Sequence, residues 1–169
     1  QTSVKAYTGY GGATSNPLAS GAQVTSTAYD PAYNTYPISI TNAKLQTTEF
    51  GYDYRLGIPT FMTDPNGSTV SAGYDAFGRV TSLTRPGDAG ATLTMVYSAP
   101  NPLTLDYDSA NPFTTTITQK INATQSFTII RKYDGMGREM ETNAGGVVTT
   151  TDYPDAKTIV QSLPGGGVI

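Results

Sequence analysis

The sequence predicts an all-β protein built of antiparallel β-hairpin repeats that form a curved, spiralling sheet. Three observations carry that prediction. A tyrosine–aspartate pair recurs at Tyr29-Asp30, Tyr52-Asp53, Tyr74-Asp75, Tyr107-Asp108 and Tyr133-Asp134, and a period of 20–50 residues marks an array of supersecondary units. Period-two alternation is common, whereas no i, i+3, i+4, i+7 apolar pattern is sustained. Threonine, tyrosine, glycine and proline are plentiful and suit strands and turns. Charged residues are 14% of the chain, against about 25% in an average domain.

Residues 1–28, with Tyr10-Gly11-Gly12 and Asn16-Pro17, keep the strand-and-turn composition but not the repeat, and read as a degenerate unit or a connector. The repeat array is expected over 29–153. Thr41-Asn42, Thr63-Asp64 and Thr142-Asn143 each stand eleven residues before a tyrosine: Tyr52, Tyr74 and Tyr153. The first two copies align at an offset of 22, which matches Pro37 with Pro59, Gly51 with Gly73 and Asp53 with Asp75. Each unit therefore reads as two strands of about seven residues, or roughly 23 Å. One runs from the Tyr-Asp pair to the Thr-Asn/Asp corner, and the other returns to the next tyrosine.

Further along, Leu93, Met95 and Tyr97 are expected on one strand face. So are Phe113, Thr115, Ile117 and Ile121, and then Phe127, Ile129 and Tyr133. Hairpin turns are predicted at Asp64-Pro65-Asn66-Gly67, Arg85-Pro86-Gly87-Asp88 and Asn143-Ala144-Gly145-Gly146. Asn-Gly supplies the positive φ angles of a tight turn, and proline fixes its own φ at the start of one. Tyr97 stands where a repeat tyrosine is expected but is followed by Ser98, and Ala99-Pro100-Asn101-Pro102 reads as a loop. Residues 154–169 are expected to form a terminal strand and a Gly-rich end. Gln1 at the start and Gly165-Gly166-Gly167 near the end suggest an internal piece of a longer polypeptide.

The motif residues have structural roles to fill. The tyrosine ring is expected to pack on the next repeat's strand while its hydroxyl reaches a polar partner. The aspartate accepts backbone N–H groups of the following turn. Gly78 and Gly137 supply positive φ or a close backbone approach, and Arg79 and Arg138 are expected to pair with an aspartate of an adjacent unit.

Composition excludes several function classes. A net charge of −3 and a pI near 4.7 argue against binding nucleic acid or anionic lipid. No apolar run approaches the roughly 18 residues of a membrane-spanning helix, so no membrane insertion is expected. With no histidine and no cysteine, Ser-His-Asp and Cys-His catalysis, zinc sites of the common types and disulfides are all excluded. A glycosidase dyad would need a cleft and one raised pKa, which nothing local suggests. Asp106-Tyr107-Asp108 with Asn111 offers oxygen ligands for Ca²⁺ but lacks the glycine and distal glutamate of an EF-hand. A loop satisfying its own backbone is the favoured reading there. No catalytic residue, cofactor or metal is expected.

The phrases Tyr74-Asp75-Ala76-Phe77-Gly78-Arg79 and Tyr133-Asp134-Gly135-Met136-Gly137-Arg138 are both Y-D-x-x-G-R. With the T-D-P-N-G and T-R-P-G-D stretches between Gly51 and Asp88, they resemble the rearrangement-hotspot (RHS), or YD-repeat, family. The resemblance is to the repeat region of Tc-toxin-like and SpvB-like secreted proteins and covers roughly 29–153. It implies spiralling antiparallel sheets wound into a hollow β-shell that encloses a toxin or effector domain, or a plug in teneurin ectodomains. Self-cleavage is not carried over, because the aspartate-flanked core signature of such shells is missing.

At about 3.3 Å per residue and 4.8 Å between strands, a sheet of this length covers roughly 2,700 Å². Even a 10 kDa guest exposes on the order of 5,000 Å². The chain is therefore expected to be a structural, non-catalytic segment of a secreted protein, partnered by the remaining repeats of its parent polypeptide or by copies of itself. An enclosed effector domain is the further expected partner. The alternative is an extracellular or cell-surface β module that self-associates into fibres through open sheet edges, or binds carbohydrate through its tyrosines.

Overall fold

The computed structural model describes residues 2–7, 22–98 and 112–166. Among these residues there are thirteen strands and no helix. The chain divides into two compact units, one of residues 1–78 with 85–87 and one of 79–84 with 88–169.

The first unit holds β1 (Thr2–Tyr7), β2 (Ala22–Tyr29), β3 (Pro37–Thr41), β4 (Thr47–Asp53), β5 (Ile58–Thr63) and β6 (Thr69–Tyr74). Each strand pairs antiparallel with its chain neighbour. The second unit holds β7 (Val80–Thr84), β8 (Leu93–Tyr97), β9 (Phe113–Lys120), β10 (Ser126–Tyr133), β11 (Glu139–Ala144), β12 (Val147–Asp152) and β13 (Val160–Ser162), paired in the same way. The all-β, antiparallel hairpin architecture predicted from the repeat is the one observed. Strand β5 runs from the Tyr52-Asp53 turn to the Thr63-Asp64 corner, and β6 returns to Tyr74.

The register shifts by one residue just before each of three motif tyrosines, between Ala28 and Tyr29, Gly51 and Tyr52, and Lys132 and Tyr133. A bulge leaves a residue out of the ladder and re-aims the chain. Proline, which has no N–H to give a ladder, is tolerated at such a point. Pro37 and Pro59, aligned by the 22-residue offset, are the residues opposite Tyr29 and Tyr52.

Packing is thin. Among the described residues no apolar side chain is buried, and the buried residues are Asp30 and Thr92. The expected alternation is clearest in β8, where Leu93, Met95 and Tyr97 are half-buried and Thr94 and Val96 exposed. In β9 and β10 both faces are half-buried over most of their length. One cross-strand apolar row joins Met95, Ile117, Ile129, Ala144 and Val147. Ile121 departs from expectation. Strand β9 ends at Lys120, and the Ile121 side chain is exposed in the turn beyond it.

All three predicted hairpins form, with different turns. Gly145 and Gly146 make a two-residue connection with φ of 61° and 94°, the twist that suits a tight hairpin. The Arg85–Asp88 stretch opens a longer loop to β8, tied where the Thr92 N–H donates to Leu83 C=O at 2.7 Å. At Asn66-Gly67 only the glycine has positive φ, at 83°. This is a type I turn followed by a left-handed residue, the three-residue form of hairpin loop, and not the two-residue turn that Asn-Gly usually signals.

Leu45 occupies the same left-handed position in the Asn42–Gln46 turn, with φ of 61° and a side chain that is exposed. A β-carbon makes that conformation cost about 1–2 kcal/mol, and glycine's extra freedom in the unfolded chain offsets part of the relief. Leu45→Gly should therefore raise stability by up to about 1 kcal/mol, read as a higher urea midpoint at unchanged slope.

Candidate functional site

The features that recur are the turns, and they share one construction. In the turns beginning at Asn42, Asp64, Asp75 and Asp134, the side-chain oxygen of the first residue accepts the N–H two residues on. The distances are 2.9 Å to Lys44, 2.8 Å to Asn66, 2.9 Å to Phe77 and 2.9 Å to Met136. Its backbone carbonyl accepts the N–H three residues on, from Leu45, Gly67, Gly78 and Gly137, at 2.9–3.0 Å. That fourth residue is left-handed each time, with φ of 61°, 83°, 78° and 79°. In the Asn42, Asp64 and Asp134 turns the same side-chain oxygen also takes the N–H four residues on, from Gln46, Ser68 and Arg138. Nothing lies within 4 Å of where a Gly137 β-carbon would sit. Conformation, and not space, asks for glycine there.

The tyrosine-side turn and the Thr-Asn/Asp corner are therefore the same device at opposite ends of a hairpin. Asn42, Asp53, Asp64 and Asp75 follow one another at intervals of eleven. At the Thr-Asn/Asp corners, paired threonines close the neck: Thr41 with Thr47 at 2.8 Å and Thr63 with Thr69 at 2.9 Å between hydroxyls. The Asp53 turn is one residue longer, and its carboxylate accepts the Arg55 backbone N–H at 2.9 Å and the Arg55 Nε and Nη2 groups at 3.2 and 2.7 Å.

Asp30 anchors a larger loop. Its side chain is fully buried and accepts the N–H groups of Tyr33, Thr35 and Tyr36. Burial works to raise its pKa, but those donors outweigh it and hold the carboxyl below the usual carboxylate range. The Arg55 side chain does the same for Asp53, and the Arg138 N–H leads the same effect at Asp134. Depressed values keep these groups ionised, the opposite of what a general acid needs.

The tyrosines tie hairpins together. The Tyr74 hydroxyl donates to Pro59 C=O at 2.9 Å, the carbonyl of the residue opposite Tyr52 at its bulge. In the second unit the Tyr153 hydroxyl donates to Glu139 C=O at 3.0 Å, opposite the Tyr133 bulge, and the Tyr97 hydroxyl to Val80 C=O at 3.0 Å. Arg138 lies with its guanidinium carbon 4.3 Å from the Tyr153 ring centre, and Arg79 4.2 Å from that of Tyr97. Twice, then, the arginine of Y-D-x-x-G-R covers the ring whose hydroxyl caps the carbonyl one residue beyond that arginine.

Arg138 also donates through Nε to Asp134 at 2.7 Å. It pairs with the aspartate of its own turn, where an aspartate of an adjacent unit was expected. The five-residue turn brings the two ends of Asp134–Arg138 together, so the nearest carboxylate is the local one. Tyr133 meets Phe113 at 5.7 Å between ring centres, Tyr52 meets Tyr36 at 4.9 Å, and Tyr29 is exposed. Tyr107 and Asp108, and the Asp106–Asn111 stretch weighed for Ca²⁺, lie outside the described residues.

Sequence reasoning passed over Tyr97 and Tyr153 as site residues because neither precedes an aspartate. The eleven-residue spacing that led to Tyr153 was the available signal. Ser98 stands in the aspartate's place and accepts the Thr114 N–H at 2.8 Å.

Turns anchored by Asx side chains and rings bridging successive hairpins define a β-repeat protein. Residues 60–89 match the model of the family described as RHS Repeat, a stretch that holds the Asp64 and Asp75 turns. No curated protein matches this chain. Solved structures that are similar include "Crystal Structure of TcdB2-TccC3-Cdc42" and "Crystal Structure of TcdB2-TccC3 without hypervariable C-terminal region". For each the identity is 13%, the TM-score 0.37 and the coverage 87% of this chain and 11% of the other.

Two outcomes check this geometry. Arg138→Lys keeps the charge but loses the planar group over Tyr153, and should cost about 0.5–1 kcal/mol. Tyr153→Phe should cost about 1 kcal/mol for the hydroxyl's hydrogen bond. Both would read as lower urea midpoints.

The pH dependence has a definite sign. The folded-state pKa values of Asp30, Asp53 and Asp134 lie below the unfolded value, so their contribution is present above about pH 3.9 and is lost as pH falls through the folded values. With no histidine, the melting temperature should be flat between about pH 5 and 8 and fall below about pH 4.

Proposed function

We propose that this chain is part of a container wall: a structural, non-catalytic segment of a secreted RHS/YD-repeat protein whose β-shell encloses or displays a toxin or effector domain. The observation that carries the reading is the pairing of a coreless sheet with a link that can be repeated. Among the described residues no apolar side chain is buried, so the hairpins gain their stability from neighbours rather than from an interior, as in repeat arrays. The tyrosine hydroxyl that caps the preceding bulge supplies a connection that each further unit extends. The area estimate makes this chain too small to surround a folded guest, so its partners are further repeats of its own polypeptide. The aspartates, which face their own backbones, serve as turn anchors.

A self-associating module is the second reading. It is favoured by Phe77 and Met136, which stand 84% and 79% exposed at the same position of the Y-D-x-x-G-R turns, since exposed apolar side chains mark contact surfaces.

The test is limited proteolysis of the complete polypeptide from which the chain comes. The wall reading expects a segment outside the repeats to resist protease until Arg138→Ala and Tyr153→Ala together loosen the array. A polypeptide without further Tyr-Asp phrases, in which no segment is protected and the chain assembles into polymers in sedimentation, would reject the wall in favour of the module.

A further inference from the structure

We propose that Tyr33 and Tyr54 form a site of oxidative cross-linking, at which a one-electron oxidant joins the two phenols and staples the Asp30 loop to the Asp53 turn. The rings are in contact, with centres 5.4 Å apart and planes tilted by 52°. Both are exposed, Tyr33 at 63% and Tyr54 at 43%, so an oxidant in solution reaches either one. Tyr36 touches Tyr54 at 5.6 Å and Tyr52 at 4.9 Å, but both Tyr36 and Tyr52 are half-buried. A radical formed on any of the four has a neighbouring phenol, and the accessible end of the cluster is the Tyr33–Tyr54 pair.

Two further features favour coupling here. The chain has no cysteine and no tryptophan, the side chains that would compete with tyrosine for a one-electron oxidant. The backbones that carry the rings are also fixed. Asp30 holds the N–H groups of Tyr33, Thr35 and Tyr36, and Asp53, next to Tyr54, holds that of Arg55. The two phenols are thus presented to each other before any reaction occurs, which is the situation in which proximity raises a rate most.

The chemistry balances with a haem peroxidase and hydrogen peroxide as oxidant. Each phenol gives up one electron and one proton and becomes a phenoxyl radical. The radicals form a carbon–carbon bond between the ring positions next to the oxygens. Each ring then moves its displaced hydrogen to oxygen and regains its phenol. Two hydrogens are lost in all, and one peroxide is reduced to two waters. In a chain without cysteine, this bond does the work that a disulfide does elsewhere.

The test is peroxidase and peroxide on the dilute folded protein, followed by trypsin and mass spectrometry. Trypsin cuts at Lys44, between the two tyrosines, so the link appears as two joined peptides lighter by two hydrogens than their sum. That species, with dityrosine fluorescence and a raised melting temperature, is the expected result. Tyr33→Phe and Tyr54→Phe each keep the ring and should each abolish it, while urea-unfolded protein should lose the preference. Links that fall between chains, or that map to other tyrosine pairs while the 33–54 species is missing, would overturn the proposal. So would a 33–54 yield that is unchanged in urea.

Discussion

An Asn or Asp side chain that accepts the backbone N–H groups of its own turn is the constraint on which the rest of this structure depends. A sheet in which no apolar side chain among the described residues is buried has little to set its register from inside. Hairpin register is then fixed by turn geometry. The anchors Asn42, Asp64 and Asp134 each satisfy two backbone donors that would otherwise face the turn unpaired, and each selects one loop length and one left-handed residue. With loop length fixed, the strands on either side meet in a single register. The bulge falls at the motif tyrosine, and the ring is aimed at the neighbouring hairpin. The anchors are ionised or neutral oxygen acceptors on short side chains, so they order the loop at little entropic cost.

The second layer of stability runs between hairpins. A tyrosine offers a ring for packing and a hydroxyl for one directed bond. Here the hydroxyl reaches the carbonyl of the residue that stands opposite a bulge tyrosine. The arginine closes the arrangement from above the ring while its Nε holds the turn carboxylate at Asp134. One residue thus links local turn order to the packing of the next hairpin. This explains why the repeat phrase ends in arginine, and why a lysine, a point charge without a planar face, does not fill the same role. A structure held mainly by nearest-neighbour links also lengthens without redesign, which suits a wall better than a pocket.

Much of this was legible in the chain itself. The strand limits around Thr63-Asp64 and Tyr74 followed from the 22-residue offset, because turn residues are chosen by backbone conformation and conformation is local. The glycine tight turn at Gly145-Gly146 was legible for the same reason. What misled was local as well. Asn66-Gly67 carries the signature of a two-residue turn, yet the Asp64 carboxylate reaches Asn66 and Ser68 and draws the loop into its three-residue form. Ile121 kept the alternation in sequence, but the Asn122 side chain gathers the N–H groups of Thr124 and Gln125 into a turn, and the strand stops one residue short.

The sequence by itself determined the class of fold, the places where the chain reverses and an acidic composition without histidine or cysteine. These depend on residue types and spacings along the chain. Tertiary structure alone decided which contacts the motif side chains make. It paired Arg138 with its own turn, placed Tyr97 and Tyr153 in the roles of motif tyrosines without their aspartates, and brought Tyr33 against Tyr54. The physical reason is that such contacts depend on strand register and on the one-residue shift at each bulge. A side chain's neighbour across a sheet is set by that register, which no spacing along the chain records.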